Sequence, residues 1–132
     1  MRITSVHETV LYGEDLDALE RFYAGLLGLR RVGMGSDRGR AFRVAPAQVL
    51  LVFRASRTRV PDAQVPAHGA EGAGHVAFSI EPGAYEPWKQ RLEAEGFAIE
   101  REIRWPEGGR SLYVRDPAGN SVELVEGKVW PA

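Results

Sequence analysis

The chain has 132 residues, 44% apolar and 27% charged, which is one ordinary globular domain's worth of polypeptide with apolar residues enough for a core. It contains no cysteine, which excludes disulfide scaffolds, thiol nucleophiles and cysteine-ligated zinc. Its 17 basic and 18 acidic residues leave a net charge of −1, so the overall charge makes no case for nucleic acid or a membrane surface. Met1-Arg2-Ile3-Thr4-Ser5 lacks the long apolar run of a signal peptide and no stretch could span a bilayer, so the expectation is a cytoplasmic protein.

Residues 3–12 carry Ile3, Val6, Val10 and Leu11 and stop at Gly13, which predicts a strand and a turn. From Asp15 the period becomes helical: Leu16, Leu19, Phe22, Tyr23, Leu26 and Leu27 share a face, and Gly28 is the expected C-cap. Strands are expected near 31–34, 39–45 and 48–54. Residues 55–73, rich in Ser, Pro, Ala and Gly without a period, read as a linker or a lid. A strand at 76–80, a helix at 84–95 closed by Gly96, and strands at 97–104, 110–115 and 121–126 complete the chain.

The second half repeats the first. Gly39-Arg40-Ala41-Phe42-Arg43-Val44 is similar to Gly109-Arg110-Ser111-Leu112-Tyr113-Val114, Val49-Leu50-Leu51-Val52 to Val122-Glu123-Leu124-Val125, and Glu8-Thr9-Val10-Leu11-Tyr12 to His75-Val76-Ala77-Phe78-Ser79. Three matches in one order predict two βαβββ modules, 1–54 and 74–132, joined by 55–73. The fold class is therefore α+β: paired βαβββ modules forming a curved mixed sheet around a cleft. The same alignment sets Glu8 opposite His75 and Leu50 opposite Glu123.

Strand alternation puts Val76, Phe78 and Ile80 on the core face and His75, Ala77 and Ser79 on the other. Glu123 and Val125 face away from Val122 and Leu124, and Glu8 shares a face with Val10 and Tyr12. Pairing of the modules about a pseudo-twofold axis would make Glu8, His75 and Glu123 converge. Two carboxylates in a half-buried site repel, and a divalent cation held by both and by the imidazole removes that cost. Three protein ligands leave positions open for a substrate. His7 falls on the opposite face, and His68 reads as a solvated loop histidine that could act as acid or base only if the linker folds over the cleft.

Glu8 to Tyr12 with Asp15-Leu16, Arg21-Phe22-Tyr23 and Leu26-Leu27-Gly28-Leu29, then Gly74-His75-Val76-Ala77-Phe78, then Tyr113 to Glu123 through Asp116-Pro117-Ala118-Gly119-Asn120, resemble the vicinal-oxygen-chelate superfamily. That superfamily includes glyoxalase I, extradiol dioxygenases and the bleomycin and fosfomycin resistance proteins. The resemblance implies metal ligands at Glu8, His75 and Glu123, while Leu50, at a fourth ligand position, cannot ligate. It also implies a homodimer and a small-molecule substrate, with no nucleic-acid or membrane partner. The implied function is a metal-dependent enzyme of lyase, isomerase, transferase or dioxygenase type, using Mn, Fe, Ni, Zn or Co. Glu123 and Tyr113 are its candidate catalytic groups, and Tyr12, Leu50, Arg110 and Ser111 its candidate substrate contacts. The alternative is a metal-free protein of the bleomycin-resistance type that sequesters an aromatic or cationic compound, with Glu8, Glu123, Tyr12 and Tyr113 facing it. Trp105 and Trp130 could line a pocket or an interface.

Overall fold

A computed structural model describes residues 1–61 and 64–132. Asp62 and Ala63, within the span read as a linker, lie outside the described residues. The chain divides into two compact units, Met1–Gly72 and Ala73–Ala132. Each is a βαβββ module, so the fold is α+β as the repeat implied.

The first unit runs β1 (Glu8–Tyr12), α1 (Leu16–Glu20), β2 (Arg30–Arg31), β3 (Gly39–Ala45), β4 (Gln48–Phe53) and a single helical turn, α2 (Ala55–Thr58). The Asp15 carboxylate accepts the Ala18 N–H at 3.0 Å and so caps α1. Beyond Glu20 the helix widens into a π-helical stretch, Arg21–Leu26, in which the Leu27 N–H reaches the Phe22 carbonyl at 2.9 Å. Leu19, Phe22 and Tyr23 are buried with Phe42, Leu50 and Val52 of the sheet, and Phe22 meets Tyr23 edge-on at 5.0 Å between centroids. The sheet order is β1-β4-β3-β2, with β1 parallel to β4 and the other pairs antiparallel.

The second unit repeats this order with β5 (His75–Ile80), α3 (Tyr85–Ala94), β6 (Arg101–Arg104), β7 (Arg110–Arg115) and β8 (Ser121–Glu126), arranged β5-β8-β7-β6. Helix α3 ends where Gly96 turns to a φ of 84°, a conformation that only glycine adopts cheaply. Its buried face, Tyr85 and Leu92, belongs to the same core as Leu112, Val114, Val122 and Leu124. The Glu126 carboxylate reaches back to the start of α3, accepting from the Gly83 and Tyr85 N–H groups at 2.8 and 3.1 Å and from Arg110 Nε at 2.9 Å.

The Arg110 guanidinium, followed by the two backbone N–H groups, holds the Glu126 carboxyl below the usual carboxylate range. A depressed folded-state value stabilises the fold above the unfolded value, near pH ~4.3, and that contribution is lost as pH falls through the lower folded value. Melting temperature in wild type should therefore fall more steeply below about pH 4.3 than in Glu126→Gln, whose side chain cannot titrate. Equal acid slopes by calorimetry would show that the cap carries no linkage.

Three expected boundaries move. The first strand begins at Glu8, because β4 starts at Gln48 and the last bond between the strands is Val49 N–H to the His7 carbonyl at 3.1 Å. The strand expected at 31–34 is only Arg30–Arg31, cut short at Gly33, whose φ is 68°. The strand expected at 97–104 is Arg101–Arg104.

Candidate functional site

The β7–β8 turn sets the site's frame. Asp116 Oδ1 accepts the Ala118 and Asn120 N–H groups, both at 2.9 Å, and Oδ2 accepts from Asn120 Nδ2 at 2.9 Å. Asn120 Oδ1 accepts the Gly74 N–H at 2.8 Å, and the Ser121 N–H donates to the Gly74 carbonyl at 2.9 Å. Side chain and backbone of one turn thus pin the residue before His75, which fixes the β5–β8 register. The ladder pairs His75 with Ser121 and Ala77 with Glu123, and across the sheet Tyr113 with Glu123.

His75, Glu123 and Tyr113 meet on the face that carries no helix-packing residues. His75 Nδ1 lies 3.0 Å from the Ser121 carbonyl, and Nε2 lies 3.3 Å from Glu123 Oε2. A carbonyl only accepts, so Nδ1 carries the proton, and in a neutral ring Nε2 is then a lone pair aimed at a carboxylate. Two acceptors facing each other need something positive between them: a second proton on the ring, or a cation. Glu123 is 6% exposed, and among the described residues no lysine or arginine pairs with it. A backbone carbonyl bonded to Nδ1 is the arrangement that orients histidine for ligation through Nε2. The nitrogen and carboxylate donors therefore suit a divalent cation.

Tyr113 stacks on His75, centroids 6.3 Å and planes 21° apart. Burial, followed by the hydrogen bond to Glu123 and that group's charge, pushes the Tyr113 phenol above its ordinary value, so its proton is firmly held. A cavity of about 500 Å³ opens over these groups; Ala77, Trp105, Val125 and Trp130 also line it.

The other expected contacts sit elsewhere. Arg110 points to the helix side, bound to Glu126 and Glu86 at 2.9 and 3.3 Å, with its guanidinium 4.0 Å over the Tyr85 ring. Ser111 is fully buried and accepts the Trp105 indole N–H at 2.8 Å. Within each unit, the described residues gather no group of three histidine, aspartate or glutamate side chains.

In the first unit Glu8 pairs with Val49 and Val10 with Leu51. The bonds that fix register correspond: Val49 N–H to the His7 carbonyl matches Ser121 N–H to the Gly74 carbonyl. Glu8 is thereby the ladder counterpart of His75. The expected equivalence of Leu50 with Glu123 is corrected, since Leu51 holds that place, while Leu50 is 1% exposed beside Thr9 in the core. Tyr12 is bonded through its hydroxyl to His68 Nδ1 at 2.6 Å, and His68 also packs edge-on against Phe53 at 5.3 Å. His68 is accordingly half-buried on the sheet face of Glu8 and Tyr12 rather than solvated.

Comparison with known proteins bears on what this arrangement serves. The family model of the Glyoxalase/Bleomycin resistance protein/Dioxygenase superfamily matches residues 5–124. The chain belongs to this superfamily. Within it, a crystal structure of lactoylglutathione lyase from Agrobacterium tumefaciens superposes with a TM-score of 0.90 at 42% identity, covering 98% of each chain. The glutathione transferase FosA of Serratia marcescens is 28% identical over 127 residues, 96% of this chain and 84% of that protein. A glyoxalase/dioxygenase from Nostoc punctiforme, 23% identical, shares the superfamily fold with a TM-score of 0.71, covering 94% of this chain and 91% of its own. Proteins named as enzymes are thus among the superfamily members similar to this chain. Among the described residues no helix is long and apolar enough to cross a membrane.

Proposed function

We propose that the protein is a metal-dependent enzyme acting on a small molecule with two neighbouring oxygens, and that His75, Glu123 and Glu8 are its metal ligands. The observation that carries the proposal is the facing of His75 Nε2 and Glu123 Oε2 at 3.3 Å while Nδ1 is committed to the Ser121 carbonyl. Glu8 joins the set on the strength of its ladder equivalence to His75.

A bound divalent ion would supply Lewis-acid stabilisation of a developing oxyanion. The protein's own groups do the rest. The Tyr113 phenol, whose O–H donates to Glu123 in the structure, would turn that hydrogen bond to a substrate oxygen once Glu123 is engaged elsewhere. Glu123 is placed to take a proton from a carbon next to an oxygen and to return it to a neighbouring atom. Helix-side packing of Val122 and Leu124 fixes the stretch of β8 that carries this carboxylate. Two relatives carry glutathione in their names, so glutathione adducts are assayed beside substrates that bear no carboxylate. A cytoplasmic homodimer belongs to the same proposal.

The test is elemental analysis of untagged protein purified without chelator, together with ¹⁵N NMR of the histidines. One divalent ion per chain, with His75 Nε2 shifted on loading by zinc and Nδ1 still protonated, is the expected result. No ion in wild type after reloading with manganese, nickel, iron and zinc would refute the metal reading in favour of a metal-free binding protein.

A further inference from the structure

We propose that the cavity of the second unit selects ligands whose oxygen-bearing head is joined to an uncharged aromatic body, and that Trp130 covers that body. The inference rests on the reading of His75 and Glu123 as the place of the head, and it names the substrate class of that site. The polar and apolar linings are separated along β8. His75, Glu123 and Tyr113 form one end; two residues on, about 7 Å along a strand, Val125 with its ladder partner Ser79 begins a second end that Trp105, Val129 and Trp130 make mostly apolar.

Of the two indoles there, one has no polar handle left to offer. The Trp105 indole N–H is spent on Ser111 Oγ at 2.8 Å, and Ser111 itself is fully buried beneath it. Among the described residues lining this cavity there is no lysine or arginine, so no cationic side chain in it compensates a phosphonate or a second carboxylate. The tail that carries Trp130 is laid against the sheet deliberately close. Gly109 N–H donates to the Lys128 carbonyl at 2.8 Å, and a Cβ at Gly109 would stand 2.4 Å from that oxygen. Trp130 is thereby brought to the cavity while 80% exposed, a large apolar surface with a free face beside an aromatic-lined space. About 500 Å³ lies within the range of pockets that enclose a drug-sized ligand.

Binding of hydroxamates, which present two adjacent oxygens, tests this by isothermal titration of nickel-loaded protein. Benzohydroxamate should bind at least ~10-fold more tightly than acetohydroxamate, and Trp130→Ala should bring the ratio near one while leaving acetohydroxamate affinity unchanged. Trp130 is exposed, so the variant folds, and Trp105→Phe provides a second reduction of the ratio. Equal affinities in wild type, a ratio untouched by Trp130→Ala, or tighter binding of phosphonoformate would each overturn the proposal. Benzohydroxamate binding that survives removal of the metal yet is lost in Trp130→Ala would support the aromatic subsite and refute the metal reading instead.

Discussion

Replacing Glu123 with alanine should abolish metal binding and leave the fold as stable as wild type or slightly more so. The two halves of this result have one cause. Glu123 is 6% exposed in an apolar strand, and among the described residues its polar side-chain partners are the His75 imidazole and the Tyr113 phenol. A buried carboxylate without a cationic side chain is a desolvation cost in the empty protein, and truncating it removes that cost. The same truncation removes a charged metal donor, and affinity should fall by at least ~100-fold, beyond the range seen when merely supporting residues are lost. Glu123→Gln keeps the shape and one oxygen and should fall between the two. Paired measurements of metal affinity and melting temperature decide it. Unchanged affinity would remove Glu123 from the ligand set, and a large loss of stability would give the carboxylate a structural role instead.

Phe42→Ala should cost about 3–5 kcal/mol, a large part of the ~5–15 kcal/mol that a domain of this size has in hand. Phe42 is 0% exposed in the middle of β3, lies opposite Leu50 across the ladder and packs its ring on Tyr23 at 5.9 Å. The cavity left would sit between a sheet paired on both sides of β3 and a helix whose π-helical stretch already presents Phe22 and Tyr23, so collapse is resisted from each side. Urea unfolding should show a lower midpoint with an unchanged slope. A loss under 1 kcal/mol would mean that the helix relaxes onto the sheet.

What could be read from the residues depended on whether each local pattern had one interpretation. The β7–β8 hairpin has its expected bounds, 110–115 and 121–126, because Asp116-Pro117-Ala118-Gly119-Asn120 permits little but a turn. The face of His75 was legible because the large apolar residues Val76, Phe78 and Ile80 alternate with the small or polar His75, Ala77 and Ser79. Val49-Leu50-Leu51-Val52 offers no such contrast, since four apolar residues in a row fit either face, and the hydrogen-bond ladder alone identifies Leu51 as the counterpart of Glu123. His68 was illegible for another reason: its partner Tyr12 lies 56 residues away, across a span without periodicity. Arg110 and Ser111 are adjacent candidate substrate contacts in the sequence, yet neighbours in a strand face opposite ways, and each is engaged on its own side.

The bond from Gly74 to Asn120 spans 46 residues, and this distance along the chain orders events in time. The β7–β8 hairpin closes across five intervening residues and can form by itself within microseconds. Strand β5 runs parallel to β8, so it docks only after the whole intervening chain has been gathered, and loop entropy makes that step the later one. His75 rides on β5 and Glu123 on the early hairpin. The pair is therefore completed by one of the last strand pairings of its unit, and a half-folded chain holds the carboxylate in its hairpin before the imidazole is brought to it.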